Sequence, residues 1–171
     1  WVIAFGRSCF WSTFFVYVPI LMVATGEGKL IAGLFVSAGN LLLFFALFWG
    51  RAGRRFGARR TIAFAFLMLS FFLFAAAAAG EAHPLWAGSF LLCCALFVIA
   101  VDALGSTVYM RAVRIRERPQ MTAVYRTYID LSDLTPPLVY SIVLAFTGLG
   151  GVFATLGVFV GVCCWLTWRY V

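Results

Sequence analysis

Arg51-Ala52-Gly53-Arg54-Arg55-Phe56-Gly57-Ala58-Arg59-Arg60 puts five arginines into ten residues of a chain whose other stretches are largely uncharged. On one side of it lies the uncharged run Leu30–Gly50, and on the other Thr61–Gly80. Each is about 20 residues, enough to cross a hydrocarbon core of about 30 Å as a helix. A second basic connection runs from Arg111 through Arg114, Arg116 and Arg118 to Arg126. The connections at Thr25–Lys29, Gly80–Pro84 and Thr147–Gly151 hold a single Lys or Arg among them, Lys29. Positive charge is retained on the cytoplasmic side during insertion, so the two kinds of connection belong on opposite sides of a bilayer. The pattern is that of a polytopic integral membrane protein.

Composition agrees. Hydrophobic residues are 64% of the chain and charged ones 11%, far from the balance of a soluble domain. Further uncharged runs are Ser8–Gly26, Pro84–Val101 and Leu134–Trp168. The last is long enough for two crossings, with Thr147-Gly148-Leu149-Gly150-Gly151 as the turn between them. The expected architecture is therefore an all-α membrane bundle forming one domain over residues 1–171. Its six spans fall near 1–23, 30–50, 61–79, 85–110, 128–146 and 152–170. The apolar runs do not alternate with polar residues, which favours helices over barrel strands. The net charge of +7 sits in loops beside the spans, where it sets topology and meets lipid head groups, so it is no argument for a nucleic-acid partner.

With the arginine connections inside, both ends of the chain are cytoplasmic, and the expected setting is a bacterial inner (plasma) membrane. Trp1, Trp49, Trp86, Trp165 and Trp168 fall where an interfacial belt would place them, whereas Trp11 is deeper. Cys9, Cys93, Cys94, Cys163 and Cys164 all lie within spans and read as small packing residues. Gly157 and Gly161 give a GxxxG in the last span. Pro19 and Pro136-Pro137 should kink their helices. The chain opens at Trp1 in apolar sequence without a leader, as a piece of a longer protein would.

Ionisable groups inside a span are costly and point to function. Arg7 and Asp102 qualify, at comparable depth in the cytoplasmic half, so an ion pair between them is one expectation. A substrate or proton pathway is the other, with Arg7 alternatively snorkelling to the surface. Asn40 is polar and mid-span, expected to bond another helix or to touch substrate. Ser8, Ser12, Thr13 and Ser37 either line a polar cavity or bond backbone carbonyls. Asp130 and Asp133 stand at i,i+3 where the fifth span opens, with Arg126 four residues before Asp130. A local ion pair and a dipole-complementing helix entrance are the plain expectations, with proton transfer or contact to the Arg54–Arg60 loop as alternatives. His83 is the sole histidine and sits in an outer loop, so no residue set calls for a metal or other cofactor.

The segment from Gly50 to Arg60, between spans two and three of a six-span unit, resembles the loop signature of the major facilitator superfamily. Gly50, Arg55, Gly57, Arg59 and Arg60 match it, Arg54 replaces the usual acid, and Ala58 replaces a basic residue. Gly6–Pro19 is similar to that superfamily's seventh helix, and Arg118–Pro137 to its stretch between helices ten and eleven. The resemblance implies the C-terminal six-helix half of a twelve-helix transporter, its helices seven to twelve. The N-terminal half would be absent from this sequence but would be its partner. It implies alternating access for a small solute; an Asp within a cavity points to proton or other ion coupling through Asp102, with a uniporter as the alternative. Arg7 and Asp102 would face the cavity, Asn40 and Pro136-Pro137 would flank it, and the loop arginines would latch the cytoplasmic gate.

Two rivals remain at this stage: a standalone six-helix subunit that acts as an interaction partner, and an integral membrane enzyme. No His/Asp/Glu cluster or activated Ser appears at either membrane face to favour an enzyme.

Overall fold

The computed structural model describes residues 2–113 and 118–170, and all regular structure among them is helical. Arg114, Arg116 and Trp1, named above, lie outside the described residues, as do the side chains of Arg111 and Arg118. The helices are α1 (Val2–Ala24), α2 (Lys29–Leu41), α3 (Ala46–Phe56), α4 (Ala58–Ala79), α5 (Pro84–Ala112) and α6 (Arg118–Tyr170). A short 3₁₀ turn, Leu42–Phe45, joins α2 to α3 as one apolar rod, Lys29–Phe56. Counting that rod once, five helices among the described residues are long and apolar enough to cross a membrane.

Glycines with positive φ make the turns: Gly28 before α2, Gly57 between α3 and α4, and Gly80 after α4. Pro84 opens α5, where its missing N–H costs no hydrogen bond. The 53-residue α6 is broken at Gly148, whose φ of 72° and ψ of −173° are non-helical. Its two limbs run in opposite directions. Along the first limb Ser12 reaches the Asp133 carbonyl and Tyr17 packs on Tyr140, so this limb parallels α1. Along the second, Ser70 bonds the Gly157 carbonyl and Arg59 the Trp168 carbonyl, so this limb is antiparallel to α4. Helices α1 and α4 are themselves parallel, for both run antiparallel to α5: Met22 lies by Gly88 and Trp11 by Asp102, while Phe72 lies by Phe90 and Phe64 by Phe97.

The arginine-rich segments are more helical than expected. Helix α3 continues to Phe56 and α4 begins at Ala58, leaving Gly57 as the whole connection. Likewise α5 runs to Ala112, and α6 starts at Arg118 rather than near 128. Arginine is a good helix former, so a helix need not stop where the apolar stretch ends. Asp130 and Asp133 consequently sit 12 and 15 residues into α6, which carries no acid in its first turn. The expected dipole-complementing entrance is therefore not present. Arg126 and Asp130 are both exposed, and among the described residues no ion pair joins them or ties either aspartate to the Arg54–Arg60 segment. A base placed four residues before its acid is the weaker orientation for a helical pair, and water competes at the surface.

The core is aromatic and aliphatic, with Phe10, Phe14, Phe66, Phe153, Leu69 and Leu156 fully buried. Between helices in lipid such contacts act through close packing rather than release of water. Gly39 shows how tight this is: a Cβ there would lie 2.5 Å from the Phe14 ring. Gly157 and Gly161 face α4 less tightly: a Cβ there would meet Phe74 and the Ser70 hydroxyl at an ordinary 3.4 Å. All five cysteines are free. Trp86, Trp165 and Trp168 are exposed as a belt requires, but Trp49 is buried and donates its indole N–H to the Leu96 carbonyl at 2.9 Å. Its hydrogen bond is met by protein, so it needs no head-group contact.

The kinks expected at Pro19 and Pro136-Pro137 interrupt neither helix. Pro137 has no N–H for the Asp133 carbonyl one turn back, and the Ser12 hydroxyl of α1 supplies the missing donor at 3.2 Å.

Candidate functional site

Helical spacing on α1 brings Arg7, Trp11 and Phe15 onto one face, each four residues from the next. Asp102 comes to them from α5, about 15 Å from the end of that helix at Ala112. The Arg7 Nε and Asp102 Oδ1 form an ion pair, with each side chain 25% exposed. The other oxygen, Oδ2, accepts the Trp11 indole N–H at 2.9 Å. Both carboxylate oxygens are thus engaged by α1, one with a full charge and one with a neutral donor.

These residues wall a cavity of about 400 Å³. Trp11, Ser12, Phe15 and Arg7 of α1 line it together with Asn40 of α2, Leu43 of the 3₁₀ turn, Asp102 of α5 and Asp133 of α6. The Trp11 and Phe15 rings are stacked 5.4 Å apart at 16°, giving a flat aromatic wall. The tighter 3₁₀ turn stands at the cavity edge, and such a turn within a long helix is a recurrent site of bending.

The structure brings together Arg7, Asp102, Asn40 and Asp133, four of the candidates read from the sequence. Asn40 does not bond another helix: its amide donates to the Val36 carbonyl of its own helix at 3.0 Å and remains exposed. The rod that carries it is little buried against the other helices. Ser12 is both a cavity residue and a backbone donor, while Thr13 turns back to the Cys9 carbonyl. Ser8 is fully buried outside the cavity lining, and Ser37 is exposed on α2.

Trp11 is the residue that sequence reasoning missed. Its signal was present, for a tryptophan too deep for the interfacial belt needs a buried partner for its N–H. Tyr109 and Tyr125 were missed too. Their rings stack at 4.3 Å between α5 and α6, and the Tyr109 hydroxyl donates to the Met121 carbonyl at 3.0 Å. They stand on the arginine side of the Arg7–Asp102 pair.

The residues of the arginine segment are dispersed. Gly50 faces open space, and Arg54 is exposed at the end of α3. Arg55 lies 5.5 Å from the ring centroid of its neighbour Phe56, and Gly57 makes the turn at a φ of 89°. Arg59 crosses to α6, where it bonds the Trp168 carbonyl and lies 5.5 Å from the Trp168 ring centroid. Arg60 borders a separate groove between α4 and α6. Among the described residues no three His, Cys, Asp or Glu side chains converge as metal ligands. Compared with models of known families, with curated proteins and with solved structures, the chain matches none.

Proposed function

We propose that this chain crosses the membrane six times, with the break at Gly148 separating the fifth and sixth crossings. In this reading its arginine-rich end is cytoplasmic, and it is the C-terminal half of a secondary transporter of the major facilitator type. The observation that carries it is the polar cavity of Arg7, Trp11, Asp102, Asn40 and Asp133, built within otherwise apolar helices. Buried ionisable groups at the junction of several spans are costly, and a solute pathway accounts for their presence.

In the mechanism, α1 and α5 face the other half of the transporter, and rocking of the two halves exposes the cavity to each side in turn. Asp102 is the coupling residue. With its charge it holds Arg7 and Trp11; a proton on it removes the attraction to Arg7 and frees the guanidinium to move or to meet a solute. Tyr109 and Tyr125 close the arginine side between α5 and α6.

The test uses thiol labelling, which needs no knowledge of the solute. In a background with the five native cysteines replaced by Ala, Ser12→Cys and Asn40→Cys are exposed to a membrane-impermeant thiol reagent from each side of sealed vesicles. Both should react faster than Val158→Cys, an exposed position on the opposite limb of α6. Asp102→Asn should change the side from which Ser12→Cys is reached. Labelling no faster than at Val158→Cys would end the transport proposal. It would leave the same bundle as a membrane subunit without an aqueous path.

A further inference from the structure

Away from the cavity, a second concavity of about 470 Å³ runs between α4 and the second limb of α6 at the arginine end. Arg60, Ala63, Phe64 and Leu67 form one wall, and Gly161, Cys164, Trp165 and Trp168 the other. No carboxylate is among these lining residues. Below Arg60 the groove is apolar, and Gly161 keeps it open: a Cβ there would meet only the Ser70 hydroxyl, at 3.4 Å.

The charges at its mouth are unequally used. Arg59 already satisfies the Trp168 carbonyl near the end of α6, a favourable place for a cation. Arg169 lies 5.5 Å from the Trp165 ring centroid. Among the described residues Arg60 makes no comparable contact. It stands in the first turn of α4, which contains no acid, so its charge opposes the positive end of that helix dipole. An anion beside Arg60 would meet a guanidinium fork and a helix N-terminus together. Trp165 and Trp168 are both more than half exposed, as tryptophans at head-group height are.

We infer that this groove binds an anionic phospholipid, with the phosphate at Arg60 and one acyl chain along Phe64, Leu67 and Gly161. A free phosphate would use the mouth and leave the apolar floor unfilled, whereas a lipid uses both. The inference requires only that the chain sits in a bilayer, and it stands apart from the transport proposal.

Native mass spectrometry of the full chain in detergent, titrated with palmitoyl-oleoyl phosphatidylglycerol, tests it. The expected result is retained phosphatidylglycerol, weak retention of the phosphatidylcholine with the same chains, and no competition by inorganic phosphate. Arg60→Gln should weaken phosphatidylglycerol binding about fivefold, the usual weight of one basic residue at a membrane surface. Gly161→Leu, which fills the groove and leaves the arginine in place, should weaken it as well, with helix content by circular dichroism as the check on folding. Equal retention of both lipids, or unchanged phosphatidylglycerol binding in Arg60→Gln, would overturn the proposal.

Discussion

Asp102→Asn isolates the charge in the α1–α5 contact, because asparagine keeps a carbonyl oxygen that can still accept the Trp11 N–H. With that oxygen turned to Trp11, the new amide faces the Arg7 guanidinium, donor against donor. Breaking one side of a buried ion pair costs about 3–5 kcal/mol. Here each partner is 25% exposed, so water reaches the orphaned guanidinium and about 2 kcal/mol is the better expectation. For a chain of this size, about 1 kcal/mol moves the unfolding midpoint by roughly 2–4 °C, so Asp102→Asn should lower it by roughly 4–8 °C. Arg7→Gln should cost a similar amount by stranding the carboxylate. The double variant brings two neutral amides together, which can bond each other, so it should lose much less than the sum of the single losses. The assay is thermal unfolding of all four proteins in one detergent, completing a double-mutant cycle. Additivity within about 0.5 kcal/mol, or roughly 1–2 °C, would refute the coupling and with it the role of Arg7 as the partner of Asp102.

Two further outcomes follow from the first limb of α6 and from its break. Ser12→Ala should cost about 1 kcal/mol by leaving the Asp133 carbonyl without a donor, and should cost nearly nothing once Pro137→Ala has restored the helical N–H; thermal unfolding of the two backgrounds checks this. Gly148→Ala places a side chain at a φ of 72° and a ψ of −173°, a backbone region almost confined to glycine, and should cost about 1–3 kcal/mol in the same assay, whereas Gly33→Ala, within α2 and facing open space, should cost nothing.

Much of the fold was legible because lipid imposes a simple grammar. Uncharged runs gave the helices, and the glycine-rich Thr147–Gly151 gave the turn that falls at Gly148; the positive-φ glycines at 28, 57 and 80 lie in the connections between those runs, where a reversal needs backbone angles that other residues resist. Element ends were less legible. The basic segments look like loops in composition, yet arginine carries no penalty in a helix, and α6 therefore begins well before its apolar stretch. With that displacement Asp133, read chiefly as part of a helix entrance, lies 15 residues into the helix and lines the cavity. Arg7 and Asp102 were legible for the opposite reason: a charge within an apolar run is conspicuous wherever the helix ends are drawn. What the sequence left hidden was the partner of Trp11, because pairing across 91 residues depends on how α1 and α5 are rotated against each other.

The aromatic contact at Tyr109 and Tyr125 bears on the missing acid at Arg54. In the signature that the Gly50–Arg60 segment resembles, an acid at that position would offer an ion pair to hold the arginine side shut. Here Arg54 is exposed and has no ion pair among the described residues, Arg55 lies beside its own neighbour, and Arg59 is bound to the end of α6. Between α5 and α6 on that side stands a stacked tyrosine pair with a hydroxyl-to-carbonyl bond. Stacking and a neutral hydrogen bond are weakly screened by salt, whereas an exposed ion pair loses strength as ionic strength rises. If the arginine side closes through these tyrosines, labelling of Ser12→Cys from that side should hardly change between low salt and 1 M salt and should rise when Tyr109→Ala removes the stack. A strong salt dependence with no effect of Tyr109→Ala would return the closing role to the arginines.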